Sequence, residues 1–529
     1  MSAVSSKIAD VVRDRGVSAH SENVPRLIPS ELDAFCRRSG PQSLLIRGPP
    51  GAGKTSLALA LLESFSGTRI MVSTRVVDHQ LERDFPWLRH EDAVPIQIVN
   101  AQTTPHALAR AAEAIDSLTR VVEEDSTEDM KSFLWLPGPV QEAYASIDPS
   151  QPAMVVIDSW DALVEAFIAS GAPGRPNIPN REDIERLLLS YLSRSEVTLV
   201  LIVERAGSSQ LDYLVNAVVT VQSDLSGGRL ERTLAIIKLR GLRVETPTYP
   251  FTLEGARFRS IGRFRRGSDS DDHSAGPYLP AEPTPQGWGF KVWPGSSDFD
   301  AAFGSLLPGA TTLIEMDPEV PLEVVHVIID PPVAATLAQG GRVLLTPAPG
   351  TTAATAYRYY RRLVPASVLE AQLRMVWTHD PEKLPSDIKR ILIQVDASTA
   401  PEKPVHRQIV REALDFIDAA GSGSSAVPNL RVGSSTGDHH VASALGSVLV
   451  PENYPDIASG YVANQQSHQI IVGWTGDLLF HSLSDAAALH LQFRARNGRY
   501  FINGLRPYTP YYVISEGDAT HPYRLTRMV

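Results

Sequence analysis

The sequence predicts an α/β protein with two domains, each built on a central, mostly parallel β-sheet that is flanked by helices. Short apolar strands alternate with helical segments through the first half of the chain, an order that is typical of parallel sheets. A glycine-rich loop joins the first of these strands to the helix after it. The strand pattern returns in the second half, which indicates a diverged duplication.

The strands of the first half are short and apolar, as expected for strands that helices cover on both faces. They are predicted at Ser43–Arg47, Arg69–Thr74, Met154–Asp158 and Val197–Val203. Helical spacing occurs at Ser56–Phe65, Pro105–Val122 and Arg181–Ser193. Two further strands are predicted to close the sheet in antiparallel orientation, at Leu234–Lys238 and Tyr249–Leu253.

A segment rich in proline, glycine, serine and aspartate, residues 263–289, predicts a linker. We therefore predict an N-terminal segment over 1–24, a first domain over 25–262 and a second domain over 290–529. Strands of the second domain are predicted at Thr311–Glu315, Arg342–Thr346, Arg390–Val395 and Gln469–Gly473. A Thr-Pro turn follows both Gly241-Leu-Arg243 and Gly504-Leu-Arg506, which supports the duplication.

Composition narrows the setting in which the chain works. The net charge of −11 does not favour general binding to nucleic acid. Cys36 is the only cysteine, so no internal disulfide can form, which fits a reducing cytoplasm. No run of about 18 apolar residues occurs, so no membrane span is expected. We expect a cytoplasmic protein.

The glycine-rich loop has the spacing Gly-x4-Gly-Lys-Thr of the Walker A motif. Its residues are Gly48, Pro49, Pro50, Gly51, Ala52, Gly53, Lys54 and Thr55, and Ser56 follows in the helix. The glycines let the backbone point amide groups at phosphate oxygens, and the helix N-terminus adds a positive dipole end. Lys54 would reach the β- and γ-phosphates, and Thr55 would hold magnesium. The motif therefore predicts a site for ATP with Mg²⁺.

A second protein contact to the magnesium is expected from an aspartate that ends a buried strand. Asp158 ends the strand Met154–Asp158 and meets that requirement. Asp161, three residues further on, is interpreted as an N-terminal residue of the next helix rather than as a ligand.

At these residues the sequence resembles the RecA superfamily and, within it, the KaiC-like ATPases of archaea and bacteria. Ile157-Asp158-Ser159-Trp160-Asp161 looks like the Walker B strand of that family. The resemblance implies a polar sensor at Glu204 and a basic pair, Lys238 and Arg240, that reaches the nucleotide of a neighbouring subunit. It thus implies a homo-oligomer, such as a hexamer, with two RecA-like domains in each chain. The catalytic residues that it implies are Lys54, Asp158, Glu204, Lys238 and Arg240.

A closer similarity is to the archaeal gas-vesicle regulator D family. It covers residues 25–260 and rests on the Walker A loop together with Pro29-Ser30, Ser73-Thr74-Arg75 and Phe85-Pro86-Trp87.

One departure from the KaiC-like ATPases concerns the rate of hydrolysis. Where those proteins carry two glutamates that orient the attacking water, this chain has Thr74 and Arg75. Losing a general base costs about 10²–10⁴-fold in rate, so slow hydrolysis is expected.

The second domain is predicted to have lost its nucleotide site. The corresponding loop, Met316–Glu323, lacks Gly-Lys-Thr and carries carboxylates that would repel phosphate. Asp396 and the pair His439-His440 are interpreted as turn or loop residues. The tyrosines near the C-terminus are interpreted as packing residues rather than a stacking platform for nucleic acid, namely Tyr508, Tyr511 and Tyr512.

These observations predict a nucleotide-dependent switch that acts on a protein partner in signalling or transcription regulation. Two alternatives stay open. One is a RecA-like recombination or repair ATPase that binds DNA, which is weakened because the loop 205–210 carries one basic residue. The other is a non-hydrolysing scaffold in which ATP is a structural ligand.

Overall fold

The computed structural model divides the chain into two compact units, residues 1–262 with 527–529 and residues 263–526. The residues that it describes are 27–74, 78–90, 93–100, 138–148, 151–169, 181–182, 185–186, 189, 197–204, 207, 209–264, 297–304, 310–346, 352–377, 384–394, 412–413, 415–417, 429–434, 467–476, 484, 487–516 and 523–529. The predicted helix Pro105–Val122, Arg75, Asp396, His439 and His440 lie outside the described residues.

The first unit contains a nine-stranded sheet in the order β3-β2-β4-β5-β1-β6-β7-β8-β9. The strands from β3 to β6 in this order are parallel, and β7, β8 and β9 are antiparallel to their neighbours. Their bounds are Gln42–Arg47 (β1), Thr68–Ser73 (β2), Gln97–Asn100 (β3), Ala153–Asp158 (β4), Val197–Val203 (β5), Ala217–Ser226 (β6), Arg229–Leu239 (β7), Thr248–Thr252 (β8) and Arg259–Ser260 (β9). The α/β fold class that the sequence predicts is confirmed.

Helices cover both faces of this sheet, because its strands expose apolar side chains alternately to either side. Leu44 and Ile46 of β1 belong to one core, whereas Leu45 belongs to the other. The helices are Ser30–Cys36 (α1), Lys54–Ser64 (α2), Asp78–Asp84 (α3), Gly138–Ala145 (α4), Trp160–Ala169 (α5) and Leu211–Leu214 (α6), with 3₁₀ turns at Pro86–Arg89 and Glu254–Ala256. α1 and α2 pack in the first core, and α4, α5 and α6 pack in the second.

The second unit repeats this topology with one added edge strand, in the order β13-β12-β11-β14-β15-β10-β16-β17-β18-β19. Its strands are Thr311–Met316 (β10), Val343–Leu345 (β11), Leu373–Trp377 (β12), Leu392–Gln394 (β13), Asn429–Ser434 (β14), Ser467–Trp474 (β15), Leu489–Arg496 (β16), Arg499–Arg506 (β17), Tyr512–Glu516 (β18) and Tyr523–Arg527 (β19). The helices are Ser297–Phe303 (α7), Leu322–Ala338 (α8), Ala353–Leu363 (α9), Ala366–Gln372 (α10) and Ser386–Lys389 (α11). The predicted strand Arg390–Val395 is thus shorter, since α11 and the turn after it precede β13.

A shared β-bulge aligns the two units residue by residue. In the first unit Val218 pairs with Lys238 and Val219 with Ile236, so Ile237 is the extra residue. In the second unit His490 pairs with Arg506 and Leu491 with Gly504, so Leu505 is the extra residue. Arg506 therefore occupies the position of Lys238, and not that of Arg243 as the shared Gly-Leu-Arg motif indicates.

Among the described residues, no helix is long and apolar enough to cross a bilayer.

Tyr511 is buried and Tyr508 is 63% exposed, and the Arg494 guanidinium donates to the Tyr511 hydroxyl at 3.0 Å. The buried ring of Tyr511 packs at the edge of Phe501, as expected for a packing residue.

The bulge of the second unit buries a histidine. His490 is buried, its Nδ1 lies 3.1 Å from the Ser484 hydroxyl, and its Nε2 lies 3.8 Å from a Glu315 carboxylate oxygen. Burial lowers the pKa of His490 below its usual value, and the charge of Arg506 lowers it further. The fold therefore favours the neutral imidazole.

We expect the second unit to lose stability as the pH falls from about 6.5 towards the lowered pKa of His490. In this window the unfolded chain takes up a proton that the folded chain does not, so unfolding is favoured at lower pH. H490Q should show a weaker dependence of the thermal midpoint on pH between about 7 and 5. The matched control is H79Q, because His79 is exposed, and an equal flattening in both variants would contradict the assignment.

Candidate nucleotide-binding site

The glycine-rich loop leaves the sheet between β1 and α2 at a point where only glycine fits. A Cβ on Gly48 would lie 2.1 Å from the carbonyl oxygen of Val221 on the neighbouring β6. Gly51 and Gly53 have φ angles of 74° and 103°, in the left-handed region that favours glycine. The loop thus turns back over the sheet edge with its backbone close to β6.

The helix that follows the loop is anchored deeply in the core. Every residue from Leu57 to Leu62 is buried, so α2 is covered on all sides rather than along one stripe. Its N-cap residue is Gly53. A Cβ added at this glycine would lie only 3.2–3.4 Å from side-chain atoms of Phe251 and Leu253. A helix held in this way presents its first amide groups and its positive dipole end to the loop in a fixed direction.

The Lys54 side chain folds over the loop itself. Its ammonium donates to the carbonyl oxygens of Gly48 at 2.8 Å and Pro49 at 2.9 Å, and the residue is 8% exposed. The ammonium therefore lies inside the curl of the loop, where a bound phosphate group would replace these carbonyl contacts with stronger, charge-assisted ones.

The two motifs meet at Thr55 and Asp158. The Thr55 hydroxyl in the first turn of α2 donates to a carboxylate oxygen of Asp158 at 2.6 Å. Asp158 is the last residue of β4, and β4 lies two strands from β1 in the sheet. A hydroxyl and a carboxylate are hard oxygen donors of the kind that Mg²⁺ prefers, so this pair fits the ion that the sequence predicts.

Thr74 supports the backbone at Asp158. Its hydroxyl accepts the Ser159 N–H at 2.9 Å and donates to the Asp158 carbonyl at 3.2 Å, while its own N–H donates to the same carbonyl at 2.8 Å. The peptide between Asp158 and Ser159 is cis. Thr74 occupies one of the positions at which KaiC-like ATPases are expected to carry a glutamate, and its side chain is engaged by the backbone.

A buried network fixes the end of β5 to α5. One Asp161 carboxylate oxygen accepts the backbone N–H of Glu204 at 3.0 Å, and the other accepts from Arg181. Arg181 also contacts Glu185 at 3.0 Å, and Glu185 accepts the indole N–H of the fully buried Trp160 at 3.2 Å. Asp161 lies in the first turn of α5, as predicted. Sequence reasoning missed Arg181 and Glu185, since nothing in their spacing points to this end of the sheet.

The basic pair, Lys238 in β7 and Arg240 directly after that strand, contacts its own chain. The Lys238 ammonium donates to three carbonyl oxygens at and after α6, those of Asp212, Tyr213 and Val215. Arg240 donates to the Tyr213 carbonyl at 3.0 Å. The structure therefore places Lys238 and Arg240 together at the C-terminal end of α6, and not beside Lys54 of the same site.

The equivalent loop of the second unit has a different shape. β10 runs to Met316, which still pairs with Phe493 of β16, and the Asp317 N–H then donates to the Phe493 carbonyl at 3.0 Å. An Asp317 carboxylate oxygen accepts the Thr475 hydroxyl at 2.9 Å. By the register of the shared bulge, Met316 stands where the first unit has Gly48, and its side chain is buried in the core of the second unit.

Comparison with known families assigns the first unit. Residues 32–237 match the family model described as GvpD gas vesicle protein, P-loop domain. This region of the chain is similar to the P-loop domain of GvpD gas vesicle proteins. The match spans the loop, Asp158 and Glu204, and it ends within β7.

Two curated relatives that are similar to this chain are also GvpD proteins. Protein GvpD2 of Halobacterium salinarum is 30% identical over 237 residues, which are 44% of this chain and 44% of the relative. Protein GvpD1 of the same organism is 30% identical over 241 residues, which are 44% of this chain and 41% of the relative. The match thus spans less than half the length of each relative.

Removing the Thr74 hydroxyl should destabilise the first unit. T74V keeps the shape of the side chain but leaves the Ser159 N–H without its acceptor, and an unsatisfied buried donor costs about 1–3 kcal/mol. T74S keeps the hydroxyl and is the matched control. We expect chemical denaturation of the nucleotide-free protein to show a lower unfolding free energy for T74V than for T74S; a wild-type unfolding free energy for T74V would show that the hydrogen bonds of the hydroxyl do not stabilise the fold.

Proposed function

We propose that this protein is an ATP-binding, slowly hydrolysing regulator that acts as a nucleotide-dependent switch on a protein partner. The observation that carries the proposal is the 2.6 Å hydrogen bond from Thr55 to Asp158. It joins the phosphate loop to the end of β4, which is the pairing that Mg²⁺-dependent P-loop enzymes use. Glu204, whose N–H donates to Asp161, places a polar side chain directly after the neighbouring strand β5.

In the proposed reaction, water attacks the γ-phosphate in line with the leaving oxygen. Amide groups of residues 51–55 and the Lys54 ammonium bind the phosphates and stabilise the charge that develops. Thr55 and Asp158 would hold Mg²⁺, which neutralises charge on the β- and γ-phosphates. Glu204, held through its N–H by Asp161, would sense the phosphate through a polar contact.

Hydrolysis is proposed to be slow because no carboxylate replaces the expected general base at Thr74. The Thr74 hydroxyl accepts the Ser159 N–H and donates its hydrogen to the Asp158 carbonyl, and a neutral hydroxyl is too weak a base to replace a carboxylate. Positioning and charge stabilisation remain, and these support a long-lived ATP state. A long-lived state suits a switch better than a motor.

The neighbouring subunit is proposed to complete the site. Tyr213, Leu214 and Ile237 are exposed, at 77%, 38% and 58% respectively, around the end of α6 where the basic pair lies. Exposed apolar side chains beside arginine are typical of protein interfaces. We propose a homo-oligomer, such as a hexamer, in which the basic pair faces the nucleotide of the next subunit. The two relatives are named as GvpD proteins, and we propose that the partner belongs to gas-vesicle regulation.

Substitution of Lys54 tests the switch. K54A should abolish the stabilisation by MgATP in a thermal shift assay and remove the ATP-dependent change in oligomer size on a sizing column. K389A is the control, since Lys389 is an exposed residue of the second unit. If K54A changes neither quantity relative to wild type, the switch is wrong; ATP retained without any phosphate release would instead support a structural role for the nucleotide.

Mixing two inactive variants tests the shared site. K54A lacks a working phosphate loop and R240A lacks the interface arginine, so each alone should release phosphate far more slowly than wild type. A mixture forms interfaces that combine the intact loop of one subunit with the intact Arg240 of the other. Phosphate release should therefore recover partly on mixing, and a rate that stays at the sum of the separate variants would place Arg240 outside the neighbouring site.

A further inference from the structure

The Lys238 ammonium makes three hydrogen bonds to carbonyl oxygens of its own chain. Its contacts are to the carbonyl oxygens of Asp212 at 2.7 Å, Val215 at 2.8 Å and Tyr213 at 3.3 Å. An ammonium group has three N–H donors, so these contacts use all of them. The carbonyl groups in question lie at the C-terminal end of α6, where a short helix has no internal donors for them and favours a positive charge.

The β-bulge at Ile237 creates this arrangement. Lys238 pairs with Val218, which faces the same core as Leu211 and Val215 around α6. Ile236 pairs with Val219, which faces the opposite core. Because the extra residue lies between them, Lys238 and Ile236 emerge on opposite faces although they are two residues apart, whereas regular alternation would put them on the same face.

Arg240 has a different environment. Its backbone is held, because the Arg38 guanidinium donates to its carbonyl at 2.8 Å. Its side chain is exposed and makes one hydrogen bond among the described residues, to the Tyr213 carbonyl. A guanidinium has five N–H donors, so most of them can reach an anion while the arginine stays in place.

The same short helix is tied to the phosphate loop. A carboxylate oxygen of Asp212 lies 2.6 Å from the guanidinium of Arg47, and the two side chains are only 16% and 12% exposed. Arg47 is the last residue of β1, directly before Gly48, and it also contacts the Thr220 hydroxyl at 3.2 Å. Asp212 thus accepts from Lys238 through its carbonyl and from Arg47 through its carboxylate.

We infer that the members of the basic pair have separate roles: Lys238 is a positioning residue that holds α6, and through Asp212 and Arg47 the start of the phosphate loop, whereas Arg240 contacts phosphate. The inference rests on the proposed function and departs from it at Lys238, which does not leave α6 to bind nucleotide. A phosphate contact by Lys238 would abandon three carbonyl acceptors at a helix end, whereas the same contact by Arg240 leaves the fold intact.

Matched methionine substitutions separate the two roles. K238M and R240M each remove one positive charge at the end of β7 but keep a long, unbranched side chain. Without nucleotide, K238M should lower the thermal midpoint by about 2–4 °C, and R240M should leave it within about 1–2 °C of wild type. K238R, which can still donate to carbonyl oxygens, should recover the midpoint.

Phosphate release under saturating MgATP supplies the second measurement. R240M should lower kcat by about 10³-fold, at the lower end of the range for an interface arginine, and K238M should lower it by less than about tenfold. A wild-type midpoint for K238M together with a kcat loss equal to that of R240M would overturn the inference. If K238M lowers the midpoint but neither variant affects hydrolysis, the positioning role stands and the proposed interface chemistry fails.

The link to the phosphate loop has its own test. D212N keeps the carbonyl that accepts from Lys238 but breaks the ion pair with Arg47, so it should raise the MgATP concentration needed for half-maximal thermal stabilisation by roughly tenfold. D224N is the control, because Asp224 is an exposed residue of β6. Equal concentrations for D212N, D224N and wild type would show that Asp212 does not support the phosphate loop.

Discussion

The hydrogen bond between Thr55 and Asp158 is the contact on which the geometry of the candidate nucleotide site depends. It requires the first turn of α2 and the carboxyl end of β4 to lie side by side, although about a hundred residues separate them along the chain. Parallel strand order makes this juxtaposition, because β1, β4 and β5 all end at one edge of the sheet. The burial of α2 on all sides then keeps Thr55 in place.

Around this contact, neighbouring groups are held in place by side chains that are not proposed to contact the nucleotide. Thr74 holds the Asp158–Ser159 peptide, Asp161 holds the N–H of Glu204, and Arg47 holds Asp212 beside the loop. These contacts are largely shielded from water. Hydrogen bonds and ion pairs are stronger in such a shielded environment than at the surface. The phosphate loop and the end of β4 are therefore held by contacts that are already formed without nucleotide.

The second unit shows what happens when the same sheet loses that frame. Strand order and the bulge are retained, with Leu505 in the place of Ile237. The loop after β10 instead pairs Asp317 with Thr475 and β16, and α8 continues through Pro331 and Pro332. Sheet topology persists because it is set by the large core, whereas a phosphate loop depends on a few glycines and one lysine that can be lost without unfolding the sheet.

The sequence alone determined the fold class, most strands of the first unit and the residues of the phosphate loop, because apolar runs and the Gly-x4-Gly-Lys-Thr spacing are local patterns. It did not reveal α8, whose prolines argue against a helix, or β3, whose four residues are too few to show a period. It also could not show that Arg181 joins Asp161 to Glu185, or that Lys238 binds the end of α6. Those contacts join residues that are distant along the chain, and a single bulge at Ile237 decides the face on which Lys238 emerges. Only the tertiary structure decides such matters, because they follow from strand order and register rather than from local composition.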